Sequence, residues 1–348
     1  FWVDDNEDEI ALLEREINHN IQKRQKELEL TIALTNYCNF SCVYCYQNKN
    51  EKLMTTEVAN MIIEKIDRIL NDNIFEGINI HYFGGEPLLN IPVLIYLDEN
   101  IKKITAKIGI VYKAFLTTNG SMLSKELLQK VKFSSIQLTF DGLEKTHDRL
   151  RVSDHFHFKE EIELIENIMN FSQAKVLLRT NICKENKDEI IALHKYIFEK
   201  FGNERIEINP NRTIKYHQDD SFEMLSVQEY AEVAYQIKLL WSEQKGKFEL
   251  PVPRSTPCKF PYGNAYAISP EGYCTFCSGS MDQEKKYFFD VDIENKKMFS
   301  VRKECKKCNI LPLCLGGCII QYNLRAGACT YEKYELKNIL ISYIKHIS

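Results

Sequence analysis

From Leu28 onward the chain alternates strand-like and helix-like stretches six times, and this alternation restricts the fold more than any other feature. Strands are predicted at 28–34, 78–83, 111–117, 135–140, 175–181 and 205–209. Helices are predicted near 55–70, 91–106, 123–131, 158–171, 186–201 and 226–244. The first helix opens on the capping-type residues Thr55 and Thr56 and carries Val58, Met61, Ile62, Ile66, Ile69 and Leu70. Several strands are near-continuous apolar runs, as parallel strands covered by helices are. Right-handed crossovers wind such a sheet one way. Six βα units are two short of a closed barrel, so the expected fold class is α/β with an open, partial (β/α)6 TIM-type barrel.

The flanks differ from this core. Ile10, Leu13, Ile17 and Ile21 lie on one helical stripe, which predicts an N-terminal helix packed on the main domain. Pro251, Pro253 and Pro257 break the helical pattern. From Cys258 to Cys329 there are eight of the chain's twelve cysteines, several glycines and only short apolar runs. That segment is too poor in core to fold by burial alone and is expected to be organised by metal. A last helix, about 331–346, carries Tyr331, Tyr334, Leu336, Ile339, Leu340 and Tyr343. The division expected is thus a helical extension at 1–27, the barrel at 28–250 and a cysteine-rich domain at 251–348. The chain begins at Phe1 and not at a methionine, which leaves room for upstream residues, a leader-recognition domain among them.

Cysteine usage points to metal. The thiols crowd into two places at ligand-like spacings, and no export signal accompanies them, so a disulfide framework fits poorly. A formal net charge of −4, from 45 basic and 49 acidic residues, gives no reason to expect a nucleic-acid surface. No run reaches the length of a membrane span. A cytoplasmic protein with neither nucleic-acid nor membrane partners is expected.

Cys38, Cys42 and Cys45 stand at C-x3-C-x2-C directly after the first predicted strand. Four thiolates close a [4Fe–4S] cluster, so three leave one iron for a group that is not protein. Structural zinc, the competing reading, wants four ligands and usually paired C-x2-C units. After the second strand comes Gly84-Gly85-Glu86, in which glycines permit close backbone approach and the glutamate can accept from an ammonium. Thr117-Thr118-Asn119-Gly120 ends the third strand, and Leu138-Thr139-Phe140-Asp141-Gly142 the fourth. His147-Asp148-Arg149-Leu150-Arg151 follows, and Arg179 and Asn181 end the fifth. Residues at the C-terminal ends of parallel strands are where barrel geometry gathers a site. Cys183 reads as a small buried apolar group.

These motifs, in this order, resemble those of the radical S-adenosylmethionine (SAM) enzymes. The resemblance implies that Cys38, Cys42 and Cys45 carry the catalytic [4Fe–4S] cluster, whose open iron takes SAM. Gly84, Gly85 and Glu86 would hold SAM's amino group, Asn119 and Thr139 its ribose and carboxylate, and Arg151 its carboxylate bidentately. Tyr44 would lie near the adenine. The family more often shows serine where Thr139 stands. The later cysteines resemble the SPASM domain, which binds two auxiliary [4Fe–4S] clusters. By that pattern Cys305, Cys308, Cys314 and Cys329 hold one cluster, and Cys258, Cys277 and Cys318 the other. Either Cys274 closes the second cluster or one iron is open to a substrate thiolate. A zinc ribbon is the competing reading of these eight cysteines.

The resemblance further implies an oxidoreductase that cleaves SAM reductively to a 5′-deoxyadenosyl radical. Its expected partners are a ribosomally made precursor peptide (RiPP) and a low-potential donor of flavodoxin or ferredoxin type. A peptide maturase installing a thioether or related crosslink is the expected activity. A sulfatase-maturing, formylglycine-generating enzyme is the alternative. It is disfavoured by the absence of a thiol at Gly263-Asn264 and by Ser278, where that group places an aspartate. A non-catalytic metal-cluster scaffold that binds a peptide is the third.

Overall fold

A computed structural model describes residues 8–72, 75–202, 204–215, 221–246, 248, 250–275, 277–280, 286–291, 298–318 and 329–347. The alternation read from the sequence forms β1 (Glu27–Ala33), β2 (Gly77–Phe83), β3 (Val111–Thr117), β4 (Phe133–Thr139), β5 (Lys175–Ile182) and β6 (Ile206–Arg212). The helices are α1 (Glu9–Arg24), α2 (Thr56–Asp72), α3 (Ile91–Ile108), α4 (Lys125–Lys130), α5 (Glu144–Leu150), α6 (Phe158–Phe171), α7 (Ile190–Phe201) and α8 (Val227–Lys245). Short elements follow: α9 (Lys259–Tyr262), β7 (Ala265–Ile268), β8 (Tyr273–Thr275), β9 (Lys286–Tyr287) and α10 (Leu311–Cys314). The last described element is α11 (Glu332–Ile347).

Local chemistry sets the boundaries. Thr55 caps α2, its Oγ1 accepting from the Val58 N–H at 3.3 Å. Ser226 and Glu229 form a capping box at the start of α8, and Gly246 ends that helix in the left-handed region. The strands are less uniformly apolar than their sequences suggested. On β2, Ile78, Ile80 and Tyr82 are buried while Asn79, His81 and Phe83 are half-buried. On β5, Val176, Leu178 and Thr180 are buried while Leu177, Arg179 and Asn181 are half-buried. β2 and β5 therefore turn one face to a dry core and the other to partial solvent, and α3 packs on β2 and β3.

The fold is mixed α/β with a parallel sheet of the partial-barrel type. Strand order is β6-β5-β4-β3-β2-β1-β7-β8-β9, parallel from β6 through β7 and antiparallel from β7 to β9. Three strands thus exceed expectation, and they come from the segment thought too poor in apolar residues to fold by burial. Ala265-Tyr266-Ala267-Ile268 is buried at every position and pairs with β1, which covers what would otherwise be an open edge.

Two compact units result. One comprises Glu27–Leu225 with Ala265–Asp292, and the other Phe1–Lys26 with Ser226–Asn264 and Ile293–Ser348. α1 belongs to the second of these units. Ile17 and Ile21 are buried against Phe299, Val301, Leu311 and Leu315, with Ile10 and Leu13 packed alongside. The helix is core for the cysteine-rich segment of this unit. In the same unit α8 packs on α11, with the Tyr230 and Tyr331 rings edge to face at 5.0 Å.

Candidate functional site

The cysteine loop leaves the C-terminal end of β1 and is held from two sides by backbone. On one side Gly85 N–H donates to the Thr35 carbonyl at 2.8 Å, and Glu86 N–H to the Tyr37 carbonyl at 2.9 Å. A Cβ on Gly84 would stand 2.4 Å from the Thr35 oxygen, and one on Gly85 2.1 Å from the Tyr37 oxygen. The group that these glycines admit so closely is therefore the chain's own entry to Cys38. On the other side Ser41 N–H donates to the Val152 carbonyl at 2.8 Å and Val43 N–H to that of Leu150 at 3.0 Å, which brackets Arg151.

Three fully buried carboxylates organise this region. Glu86 accepts from Leu88 N–H (3.0 Å), Thr118 Oγ1 (2.7 Å) and Asn119 N–H (2.6 Å), so it joins the ends of β2 and β3. Burial pushes its carboxyl up to about 7 against these bonds. Asp141 accepts from the Tyr44 hydroxyl and from Asn181 N–H at 2.6 Å. Glu161 stands 3.1 Å from His147 Nε2 and 3.9 Å from Arg151 Nε, all three side chains being buried. Arg151 also lies over the Phe40 ring at 5.4 Å.

The sequence-predicted residues gather around this frame. Cys38 Sγ accepts from Phe40 N–H at 3.4 Å. Burial raises the thiols of Cys38 and Cys42, Cys42 to about 11, with Arg151 drawing Cys42 the other way. Cys45 closes a turn on the Cys42 carbonyl. Asn119 donates to Asn39 Oδ1 at 2.8 Å and accepts from Ser121, and so steadies the loop. Thr139 is buried at the end of β4, opposite Arg179. Arg179 Nε donates to Asn181 Oδ1 at 2.9 Å. The half-buried Tyr44 packs edge-on to Phe222. Cys183 is buried beside Phe222 and Leu150.

Among the later cysteines, Cys305, Cys308, Cys314 and Cys329 line one cavity of about 400 Å³. Gly316 N–H donates to Cys314 Sγ at 3.4 Å. Cys258 and Cys318 are exposed in the same unit. Cys277, in the other unit, is partly buried and its Sγ accepts from Gly279 N–H at 3.3 Å. Cys274 is only 6% exposed, and burial pushes its thiol up to about 12. Among the described residues no three histidine, cysteine, aspartate or glutamate side chains form a finished ligand cage. Cys305, Cys308, Cys314 and Cys329 are neighbours at that cavity, and thiolates are the usual protein ligands of iron–sulfur clusters. N–H···S bonds of the kind seen at Cys38, Cys277 and Cys314 are among those that tune such clusters.

Sequence reasoning passed over Asp141 and Glu161 as members of the site. Glu161 had a signal: it shares the apolar phase of α6 with Phe158, Ile165 and Ile168, where a carboxylate needs a buried partner. Asp141 had only its place after a strand end.

Residues 32–197 match the model of the Radical SAM superfamily. The GTP 3′,8-cyclase of Helicobacter pylori is 31% identical over 186 residues, 51% of this chain and 53% of its own length. The chain thus spans about half of that relative. Radical SAM cyclopropyl synthase TigE of Paramaledivibacter caminithermalis is 23% identical over 94% of this chain and 76% of its own length. Among solved structures, anSMEcpe with bound AdoMet and the Cp18Cys peptide superposes with a TM-score of 0.71 at 18% identity, over 92% of this chain and 100% of its own. Streptococcus suis SuiB bound to precursor peptide SuiA gives 0.62 at 16% identity, over 91% and 77%. These two share the fold. No described helix is long and apolar enough to cross a membrane. Taken with the cysteine loop and the strand ends around it, the match makes residues 32–197 a domain of the radical SAM superfamily.

Proposed function

We propose that the chain is a radical SAM/SPASM maturase that cleaves S-adenosylmethionine reductively and modifies a ribosomally made peptide by thioether or related crosslink formation. The observation that carries the reading is the convergence of Cys305, Cys308, Cys314 and Cys329 on one cavity in a chain that also bears a radical SAM domain. A peptide substrate is supported by a fold shared with two proteins solved with peptides.

Cys38, Cys42 and Cys45 would hold the SAM-binding [4Fe–4S] cluster. Bound there, cluster and SAM supply hydrogen abstraction from an unactivated carbon. The chain's own residues bind and orient. Glu86 Oε2 takes one hydrogen bond and keeps an acceptor position for an ammonium. Arg151, backed by Glu161, faces a carboxylate with a charge already held in place. Tyr44, Asn119 and Thr139 complete the SAM contacts, and the Gly84-Gly85 turn fixes Cys38. Cys305, Cys308, Cys314 and Cys329 would hold one auxiliary cluster, and Cys258, Cys277 and Cys318 the other. Burial of Cys274 favours its being a core thiol, which leaves the second cluster a position for a substrate thiolate.

The test is anaerobic reconstitution with SAM, a flavodoxin- or ferredoxin-type or chemical reductant, and a cysteine-rich peptide, followed by mass spectrometry. Release of 5′-deoxyadenosine and a two-hydrogen loss with a new crosslink are expected, on protein carrying about 12 irons. An aldehyde on a sulfatase-type peptide, or cyclisation of GTP, would replace the reading. Absence of 5′-deoxyadenosine under all reducing conditions would leave a peptide-binding scaffold.

A further inference from the structure

The charged side chains at the four-cysteine cavity are mostly cations. Arg302, Lys307 and Lys333 line it together with a single carboxylate, Glu304. Lys333 Nζ lies 3.9 Å from Cys329 Sγ. The Arg302 guanidinium lies so close to Gly316 that a Cβ there would stand 3.1 Å from its Nη2. Gly316 is also the residue whose N–H reaches Cys314 Sγ.

The grip on the chain leading to Arg302 comes from the far end of the sequence. Glu14 of α1 accepts from Val301 N–H at 2.7 Å and from Ser300 Oγ at 3.2 Å. One turn later Asn18 exchanges two bonds with Phe299, its Nδ2 donating to the carbonyl at 2.9 Å and its Oδ1 accepting from the N–H at 2.8 Å. An amide side chain thus takes the place of a neighbouring strand. Ile17 and Ile21 seat Phe299 and Val301 in the core against which Cys305 and Cys308 pack.

We propose that α1 is a positioning element of the four-thiol centre: Glu14 and Asn18 fix residues 299–301, hold Arg302 at the cavity, and let its charge set the reduction potential of the cluster bound there. This rests on the reading of Cys305, Cys308, Cys314 and Cys329 as cluster ligands. A fixed cation favours the reduced, more negative form of a cluster, so removing it lowers the potential.

The measurement is a redox titration of the reconstituted full chain followed by electron paramagnetic resonance, which reads potential independently of turnover. Arg302→Gln is expected to cut the reduced-to-oxidised ratio of one auxiliary centre about tenfold at fixed potential, a 59 mV shift for one electron, with the other centres unmoved. Arg302→Lys keeps the charge and most of the potential. Glu14→Ala with Asn18→Ala shifts the same centre in the same direction, and adding Arg302→Gln moves it no further, because all act through one group. Glu14→Gln retains the acceptor for Val301 N–H and stays near wild type. An unshifted Arg302→Gln variant, or shifts that add, would overturn the proposal. Cys305→Ala with Cys308→Ala separates it from the reading beneath. Loss of about four irons upholds the ligands and leaves the titration to decide, whereas full iron retention removes both.

Discussion

Around Cys38, Cys42 and Cys45 the scaffold is polar and buried. Glu86, Asp141 and Glu161 have no exposed surface, and backbone bonds from 85–86 and to 150–152 close on the loop. Around Cys305, Cys308, Cys314 and Cys329 it is apolar beneath and basic at the rim, with α1 as the floor and Cys329 exposed. The first region fixes its thiols by hydrogen bonds and buried charge, which demand geometry. The second fixes them by burial of Ile17, Ile21, Phe299 and Leu311, which tolerates adjustment. A loop that must present an open iron to a small ligand gains from the first arrangement, and a cluster fully held by protein thiolates can rest on the second.

The contrast breaks most sharply at its two anchors. Glu161→Ala leaves Arg151 as an uncompensated buried charge and is expected to cost about 3–5 kcal/mol in urea unfolding of the apoprotein. Glu161→Gln should recover little, since the guanidinium needs the charge. Ile17→Ala empties part of the floor under the four-thiol cavity and should cost about 2–5 kcal/mol. Iron content tells the two apart. On the proposed reading, the first variant is expected to lose metal from the centre at Cys38, Cys42 and Cys45, and the second from that at Cys305, Cys308, Cys314 and Cys329. Equal losses from both centres in either variant would show that the regions share one support.

A smaller effect is expected at the turn that receives the cysteine loop. Gly85→Ala sets a methyl group 2.1 Å from the Tyr37 carbonyl oxygen, and the loop must move to relieve it. Overpacking of this kind costs about 1–3 kcal/mol. Faster alkylation of Cys38, with Cys308 unchanged, would locate the displacement. Unchanged alkylation at both would mean that the turn does not position the loop.

The same contrast explains what was legible in the sequence. Cys38, Glu86, Asn119 and Thr139 stand at successive strand ends, so a period-based reading of strands also collects the site. Their roles were less legible. Gly84 and Gly85 looked like an approach for a ligand, yet what approaches is Thr35 to Tyr37, a contact that local pattern does not encode. The floor was least legible. The stripe of α1 was plain, but nothing in its spacing says that it packs on Phe299 and Leu311, almost three hundred residues away. Likewise β7 is four residues long, too short to stand out, and acquires meaning only beside β1.

The mildest test uses protons, because the barrel unit holds buried groups with opposite titration. His194 is fully buried 3.3 Å from Thr180 Oγ1, and desolvation lowers it from 6.5 to about 3. Between those values the unfolded chain binds a proton that the folded chain refuses, so stability falls as pH drops, by up to about 1.4 kcal/mol per pH unit. Glu86, raised from 4.5 to about 7, works the other way: the folded chain keeps a proton that the unfolded one releases, and stability falls as pH rises across that window. The two windows overlap from about pH 4.5 to 6.5, where the slopes oppose, so urea midpoints of the apoprotein should be flattest there and fall away on either side. His194→Gln is expected to flatten the acid limb and to uncover a fall in stability from about pH 4.5 to 7. Glu86→Gln should do the converse. An acid limb unchanged in His194→Gln would mean that the imidazole already takes up its proton in the folded state, and that burial there is less dry than the packing implies.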